Sequence, residues 1–409
     1  MNFINNTFLE AINFNGYDVH DTEYEVITCC AQYRLEYRQN SNHMLDSFQK
    51  IKNIERFYLA ELDKSKQQLL CLSDEFYGEP LKTDVLKESD LAPNKPKCDL
   101  IIQGFAYSDT PKPFFNAAFE FCALDDNAIR TLAKKELSIH GARHWALKHN
   151  VDSIATKDFN SFYHLTEPSL AQKIDLKYEL ALGGENKISN DETILYNEVC
   201  YRNPIGKGWF NFDFFEALRK YEQPLPLYFH APQILPKGIV LESPLFSKQT
   251  GSLNAIQMAQ IAYPNSATGF GIIHRSWSPR SAKTGTYDDK WLEERHPYYP
   301  KDFDDAHWNC APEDQQFDFP DLMKPHYLIV ENLTPHVGRA CIQLPNHNVI
   351  LFTTLAQIEV PVIMQVDTII FDNEAMTLKI VWRKAIPKVL EPNEVQVYFN
   401  EDPNLQLFV

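Results

Sequence analysis

The chain is expected to be mainly β, with antiparallel sheets packed as a sandwich, a loop-rich middle and few short helices. Three observations predict this. Gly is scarce at 14 of 409 residues while Pro is plentiful at 25, which disfavours a Gly-rich nucleotide-binding α/β fold and favours turns fixed by Pro. Hydrophobic residues reach 44% and aromatic residues 13%, enough for real cores. Runs of β-branched and aromatic residues recur along both ends of the chain, several of them alternating.

The elements follow in order. Tyr24–Tyr37 is rich in β-formers and predicts a strand. In 41–66, Met44, Phe48, Ile51, Ile54 and Phe57 fall at three- and four-residue steps, which predicts a surface helix. A strand is expected at Gln68–Ser73, followed by a turn-rich passage lying over a sheet face. Cys98–Tyr107, Phe114–Ala123, Leu132–Leu147 and Lys173–Leu182 read as further strands. Phe214–Tyr221 reads as a short helix, and Asn254–Ala262 is ambiguous between strand and helix. Nearer the end, His326–Glu331, Ala340–Leu344, Val349–Thr353, Thr368–Phe371, Thr377–Arg383 and Glu394–Phe399 are β runs. Asp372-Asn373-Glu374 supplies a hairpin turn, after which Leu378, Ile380 and Trp382 share one face and Lys379 and Arg383 the other. The expected organisation is a β-rich domain over 1–185, a loop-rich region over 186–321, and a β segment over 322–409 that packs with the first.

Composition also bounds function. A net charge of −16 disfavours binding to a phosphate backbone, which needs clustered Lys and Arg, and favours a basic protein partner. No pair of the eight cysteines has zinc-knuckle or redox spacing, so reduced thiols and a cytoplasmic location are expected. Neither a secretory leader nor a membrane span is expected from the sequence.

The stretch from Gly269 to Gln316 concentrates the unusual chemistry. From Gly285 to Asp321 there are eleven Asp or Glu against three Lys or Arg, a formal −8 and half of the whole charge. Its aromatic content separates it from a disordered acidic tail. These aromatics either pin a long loop to the sheet or form a recognition surface, since Trp, Tyr and Arg dominate binding hot spots. Trp277, Arg280, Tyr287, Asp288, Trp291, Asp302 and Asp304 are the candidates to build or line an acidic, aromatic groove for a partner.

Sharper chemistries carry less weight. Asp288, Asp302, Asp304 and Asp305 could supply a hydrolase, but sequence demonstrates no pair of carboxyls with separated pKa values. Asp302, Asp304 and Asp305 lack the Gly and distal Glu of a helix–loop–helix calcium site. His140 and His144 have zinc-ligand spacing yet sit in a strand-like context. Gly206-Lys207-Gly208 is followed by Trp209 rather than Ser or Thr, so a tight turn is expected rather than a phosphate cradle. No catalytic residue, metal ligand or cofactor is assigned.

Several motifs, taken in order, resemble a bacterial domain-of-unknown-function family encoded beside type VI secretion spike and PAAR tip proteins. They are Glu88-Ser89-Asp90-Leu91-Ala92-Pro93-Asn94-Lys95-Pro96 with Asp99 and Gly104; Gly141-Ala142-Arg143 with Trp145; and Gly183-Gly184, Asn203-Pro204 and Gly206-Lys207-Gly208. The last group runs through Trp277, Pro279-Arg280, Gly285-Thr286-Tyr287-Asp288, Trp291, Pro297, Asp302-Phe303-Asp304, Asn309, Ala311-Pro312 and Asp314-Gln315-Gln316, with Trp382-Arg383 beyond. Residues 38–66 look like an insertion relative to that pattern. The resemblance implies a cytoplasmic adaptor or chaperone that binds a type VI effector, or the extension of its tip protein, and helps load it on the spike. It implies neither catalysis nor nucleic-acid or membrane binding. The alternatives are a carbohydrate- or peptidoglycan-active hydrolase using carboxylates of 285–316, and a structural part of the spike.

Overall fold

The computed structural model describes residues 1–38, 53–65, 69–125, 128–148, 163–190, 193–209, 212–239, 241, 267–355 and 357–401. The chain is mainly β, as its patterning predicts. One large sheet dominates. Its strands are β1 (Glu10–Tyr17), β2 (Glu23–Arg38), β3 (Arg56–Leu62), β4 (Cys98–Gln103), β5 (Phe114–Asp125) and β6 (Ala128–His140). They continue with β7 (Ile234–Pro236), β8 (Gln316–Phe317), β9 (His326–Glu331), β10 (Arg339–Gln343), β11 (Gln365–Asp372) and β12 (Thr377–Pro387).

The sheet order is β7-β6-β5-β9-β10-β3-β2-β12-β11-β4-β8, and β1 pairs with the first part of β2 while β3 pairs with its last part. Most neighbours are antiparallel; β3–β10 and β4–β11 are parallel. The two ends of the sheet approach each other. Lys135 on β6 reaches Asp314 at 2.9 Å, just before β8, and Phe121 on β5 stacks on Phe317 of β8 at 4.8 Å. A twisted sheet of this width curls, and here the curl encloses one continuous core. Ile27, Cys29, Ala31 and Tyr33 of β2, Leu100 and Ile102 of β4, Phe121 of β5 and Leu378, Ile380 and Trp382 of β12 all point into it.

A second sheet joins Asn2–Asn5, Glu394–Asn400, Asn348–Leu355 and Ile358–Ile363. Val349, Leu351, Val395 and Val397 pack into the same core, giving the layered arrangement expected of a β-rich chain. A separate apolar cluster gathers Trp145, Tyr163, Leu235 and Ile239 around the helix Phe212–Lys220.

Several expectations need correction. Arg56–Leu62 is a strand in the middle of the large sheet rather than part of a helix. Residues 39–52 of those stretches lie outside the described residues. Leu69–Ser73 is irregular rather than a strand. The strand at Ala171–Asp175 gives way to a turn of 3-10 helix at Tyr178–Leu180, so Lys173–Leu182 is not one element. Asn254–Ala262 also lies outside the described residues. Glu394–Asn400 is a strand, as expected, and belongs to the second sheet. The tight turn expected at Gly206-Lys207-Gly208 falls just before it, within 201–205; Lys207–Gly208 is a two-residue strand pairing in parallel with Leu182–Gly183, and Gly208 has φ 80°, where an L side chain is disfavoured.

The hairpin at Asp372-Asn373-Glu374 forms, with an added role: Asn373 is buried and exchanges two side-chain hydrogen bonds with the backbone of Phe105. The outer face of β12 is not left to solvent either. Segment 69–97 lies across it, where Lys379 donates to Leu69 O and Asp90, and Arg383 pairs with Asp367 and donates to Asp90 O and Ala92 O.

All eight cysteines are buried, and none forms a disulfide. Among the described residues, no helix is long and apolar enough to cross a membrane.

Candidate functional site

Segment 269–317 is held by two buried polar clusters, one to the large sheet and one to the covering segment 69–97. The first centres on Asp99. Strand alternation sends Cys98, Leu100 and Ile102 inward, which leaves Asp99 and Ile101 facing the segment. Asp99 is fully buried and accepts from Lys95 Nζ at 2.8 Å, Asn309 Nδ2 at 3.0 Å, Cys310 N at 3.0 Å and Ala311 N at 3.2 Å. Lys95 also donates to Thr368 Oγ1 at 2.9 Å. Burial works to deprotonate Lys95, but the Asp99 charge outweighs it and holds the ammonium. Nearby, Gln315 donates to Leu100 O and Phe270 O, bridging strand and segment.

The second cluster centres on Arg280. Its guanidinium forks Glu88 at 2.6 and 2.7 Å and donates to His307 O and Ile273 O. Arg275 adds contacts to Glu88 and Asp74. Burial alone would raise the Glu88 pKa; the Arg280 charge reverses this and leaves it lowered. Trp277 is buried edge-on against Tyr178, with ring centroids 5.3 Å apart.

Trp277 and Arg280 therefore sit inside and brace the segment. The other five candidates lie at the surface. Asp288 caps the short helix Asp289–Glu294 by accepting from Trp291 N, and Asp304 caps the turn Asp305–Trp308 by accepting from Ala306 N. Asp302 accepts from Thr286 N and Thr286 Oγ1, which lowers its pKa. That contact needs Gly285 at φ 77°, because a Cβ there would meet Asp302 Oδ1 at 2.8 Å. Tyr287 packs edge-on to Trp291 at 4.7 Å, and Trp291 Nε1 donates to Tyr298 O at 2.8 Å. Tyr298 in turn meets Tyr17 of β1 at 5.5 Å.

The result is a shelf of rings rimmed by carboxylates. Its lower layer is half-buried around the buried Phe303: Tyr299 stacks on Phe303 at 4.4 Å, and both contact Trp308. Trp277 and Phe303 thus pin the segment, while Tyr287, Trp291 and Tyr298 lie at the surface.

Sequence reasoning passed over Glu88, Lys95, Asp99 and Gln315 as site residues, although they stand among the family-like motifs. Tyr17 and Leu292 also escaped notice. A usable signal existed in Lys95 and Asp99, an opposite-charge pair four residues apart beside an apolar run.

Cavities of about 540, 370, 290 and 390 Å³ are lined by residues other than Asp288, Asp302, Asp304 and Asp305. The 370 Å³ cavity lies between the sheet and segment 69–95, with Ile101, Ile370, Lys95 and Lys379 on its wall. The same covering segment carries Asp84, which is buried and accepts from Tyr178 N at 2.6 Å. Burial pushes its pKa up to about 7, against that hydrogen bond. A pKa raised on folding means stability is fully present below the ordinary carboxylate range and is lost as pH rises toward 7. Asp84→Asn is expected to remove this loss, a relative gain of up to about 4 kcal/mol at neutral pH. Thermal melts of both proteins across that window measure it: the gap should widen with pH, and a constant gap would refute the assignment.

A family model described as an uncharacterized protein conserved in bacteria (DUF2169) matches residues 25–383. Neither a curated protein nor a solved structure matches the chain.

Proposed function

This chain belongs to that conserved bacterial family, and we propose that it is a cytoplasmic adaptor that holds a type VI secretion effector, or the extension of its tip protein, for loading on the spike. The observation that carries the reading is the shelf itself. Tyr287 is 53% exposed and Leu292 58%, on a loop whose underside is fixed by buried ion pairs and stacked rings. Large apolar side chains held rigidly in solvent lose little entropy on docking, which is how hot spots gain affinity.

The carboxylates support binding over hydrolysis. Asp288 and Asp304 are committed to capping and Asp302 to Thr286, and the rim faces solvent rather than a closed cavity. The segment's aromatic and acidic motifs coincide with those that carry the resemblance to spike-associated adaptors.

The test is capture of the effector or tip protein encoded beside this gene. Trp291→Ala and Asp302→Ala should each weaken capture by about 1–2 kcal/mol, roughly five- to thirtyfold, with the fold retained. Equal capture by both variants, or none by the wild type, would count against the adaptor. Recovery of the protein outside the cell after firing would favour a structural spike component instead.

A further inference from the structure

Resting on the adaptor reading, we infer that the shelf receives a short cationic, amphipathic segment of another polypeptide, with Arg or Lys beside apolar side chains. Two distant stretches of sequence create the surface. Tyr17 of β1 and Tyr298 are 38% and 40% exposed and touch each other; Trp291 links Tyr298 to the exposed Tyr287, and Leu292 is exposed at the next position of the short helix. Arg295 fastens the two stretches, donating to the Asp21 carboxylate at 2.6 Å, to Val19 O at 3.0 Å and to Tyr299 O. The surface is thus part of the fold and does not have to be assembled on binding.

Charge selects the occupant. Asp288, Asp289, Glu293, Glu294, Asp302 and Asp304 are exposed around these side chains. Two neighbouring cations are already spent: Arg295 on Asp21, and Lys388 on Glu23 at 2.5 Å. Lys290 and Lys301 are exposed in the same stretch, but the six carboxylates outnumber them three to one, so the rim stays negative. A second copy of this chain would bring the same negative shelf, and a nucleic acid or an anionic lipid surface would bring like charge. A cationic polypeptide gains on both counts. Its Arg or Lys groups meet the carboxylates and the faces of the exposed tyrosines, and its apolar side chains cover Leu292.

The experiment measures binding of dye-labelled synthetic peptides to the full chain by fluorescence anisotropy. One peptide carries Arg and Leu at helical spacing, a second replaces Leu with Ser, and a third replaces Arg with Glu. The Arg/Leu peptide should bind and the Glu peptide should not. Tyr287→Ala with Leu292→Ala should weaken binding by about tenfold or more, since truncated hot spots cost at least this much. Asp289→Asn with Glu293→Gln, neither of them a capping residue, should weaken binding and flatten its salt dependence. Melting curves confirm that these exposed substitutions leave the fold intact. Equal binding of the Arg/Ser peptide, or unchanged binding by either double variant, would overturn the inference. Competition separates it from the adaptor reading. If the double variants still capture the client and the peptide does not displace it, the assigned partner chemistry fails while the adaptor stands. If the peptide binds as expected but no client is captured, the adaptor reading fails alone.

Discussion

Asp99→Ala is expected to release segment 269–317 from the sheet and to cost about 3–5 kcal/mol, the penalty for leaving a buried ion uncompensated. The substitution strands the Lys95 ammonium, 8% exposed, removes the acceptor for the Cys310 and Ala311 N–H groups, and leaves Asn309 Nδ2 only Lys97 O. That is a large share of the stability of an ordinary domain, about 5–15 kcal/mol. Chemical denaturation should show a lower midpoint, and hydrogen exchange should place the loss of protection in 269–317 before the core strands. Replacing both partners, Lys95→Met with Asp99→Leu, should recover much of the loss, because no charge is then left behind. If the single variant melts like the wild type, the clamp is not what holds the segment.

Arg280→Met carries the second large effect, again about 3–5 kcal/mol, and adds a signature in pH. In the wild type the Glu88 pKa is lowered on folding, so its contribution is present at neutral pH and lost as pH falls through the folded value. Without the guanidinium, burial dominates and the folded pKa rises above the unfolded one. The sign then inverts: the variant should be most stable in mild acid and lose stability toward neutral pH. Melts at several pH values measure the crossover. A uniform loss at all pH values would mean that Arg280 acts through packing and its bonds to His307 O and Ile273 O, not through charge.

The β character of the chain was legible because alternation survives wherever one face of a strand meets the core, as in Leu378, Ile380 and Trp382. It failed where both faces are covered. In Arg56–Leu62, Phe57 and Tyr58 are both buried although adjacent, so no period of two is visible and helical spacing in the preceding residues misled. Lys173–Leu182 alternates throughout, but Asp84 accepting from Tyr178 N and the turn at Tyr178–Leu180 end the strand early. The segment that matters was legible from its charge and rings alone. Which rings point inward was not, because that depends on partners far away in sequence. Arg280 is buried by Glu88 and Trp277 by Tyr178, whereas Tyr298 is kept at the surface by Tyr17. No local pattern records those meetings.

The interleaving of the first and last strands has a consequence for how the protein is made. β2 takes β12 as its neighbour, and Asn2–Asn5 lies alongside Glu394–Asn400. On the ribosome the nascent chain must hold β2, with Ile27, Cys29 and Tyr33 without their β12 neighbour, until Thr377–Pro387 has been made. Such long-range pairing is slow, and the waiting strand is prone to sticking to other nascent chains. Synthesis of this protein should therefore lean on general chaperones.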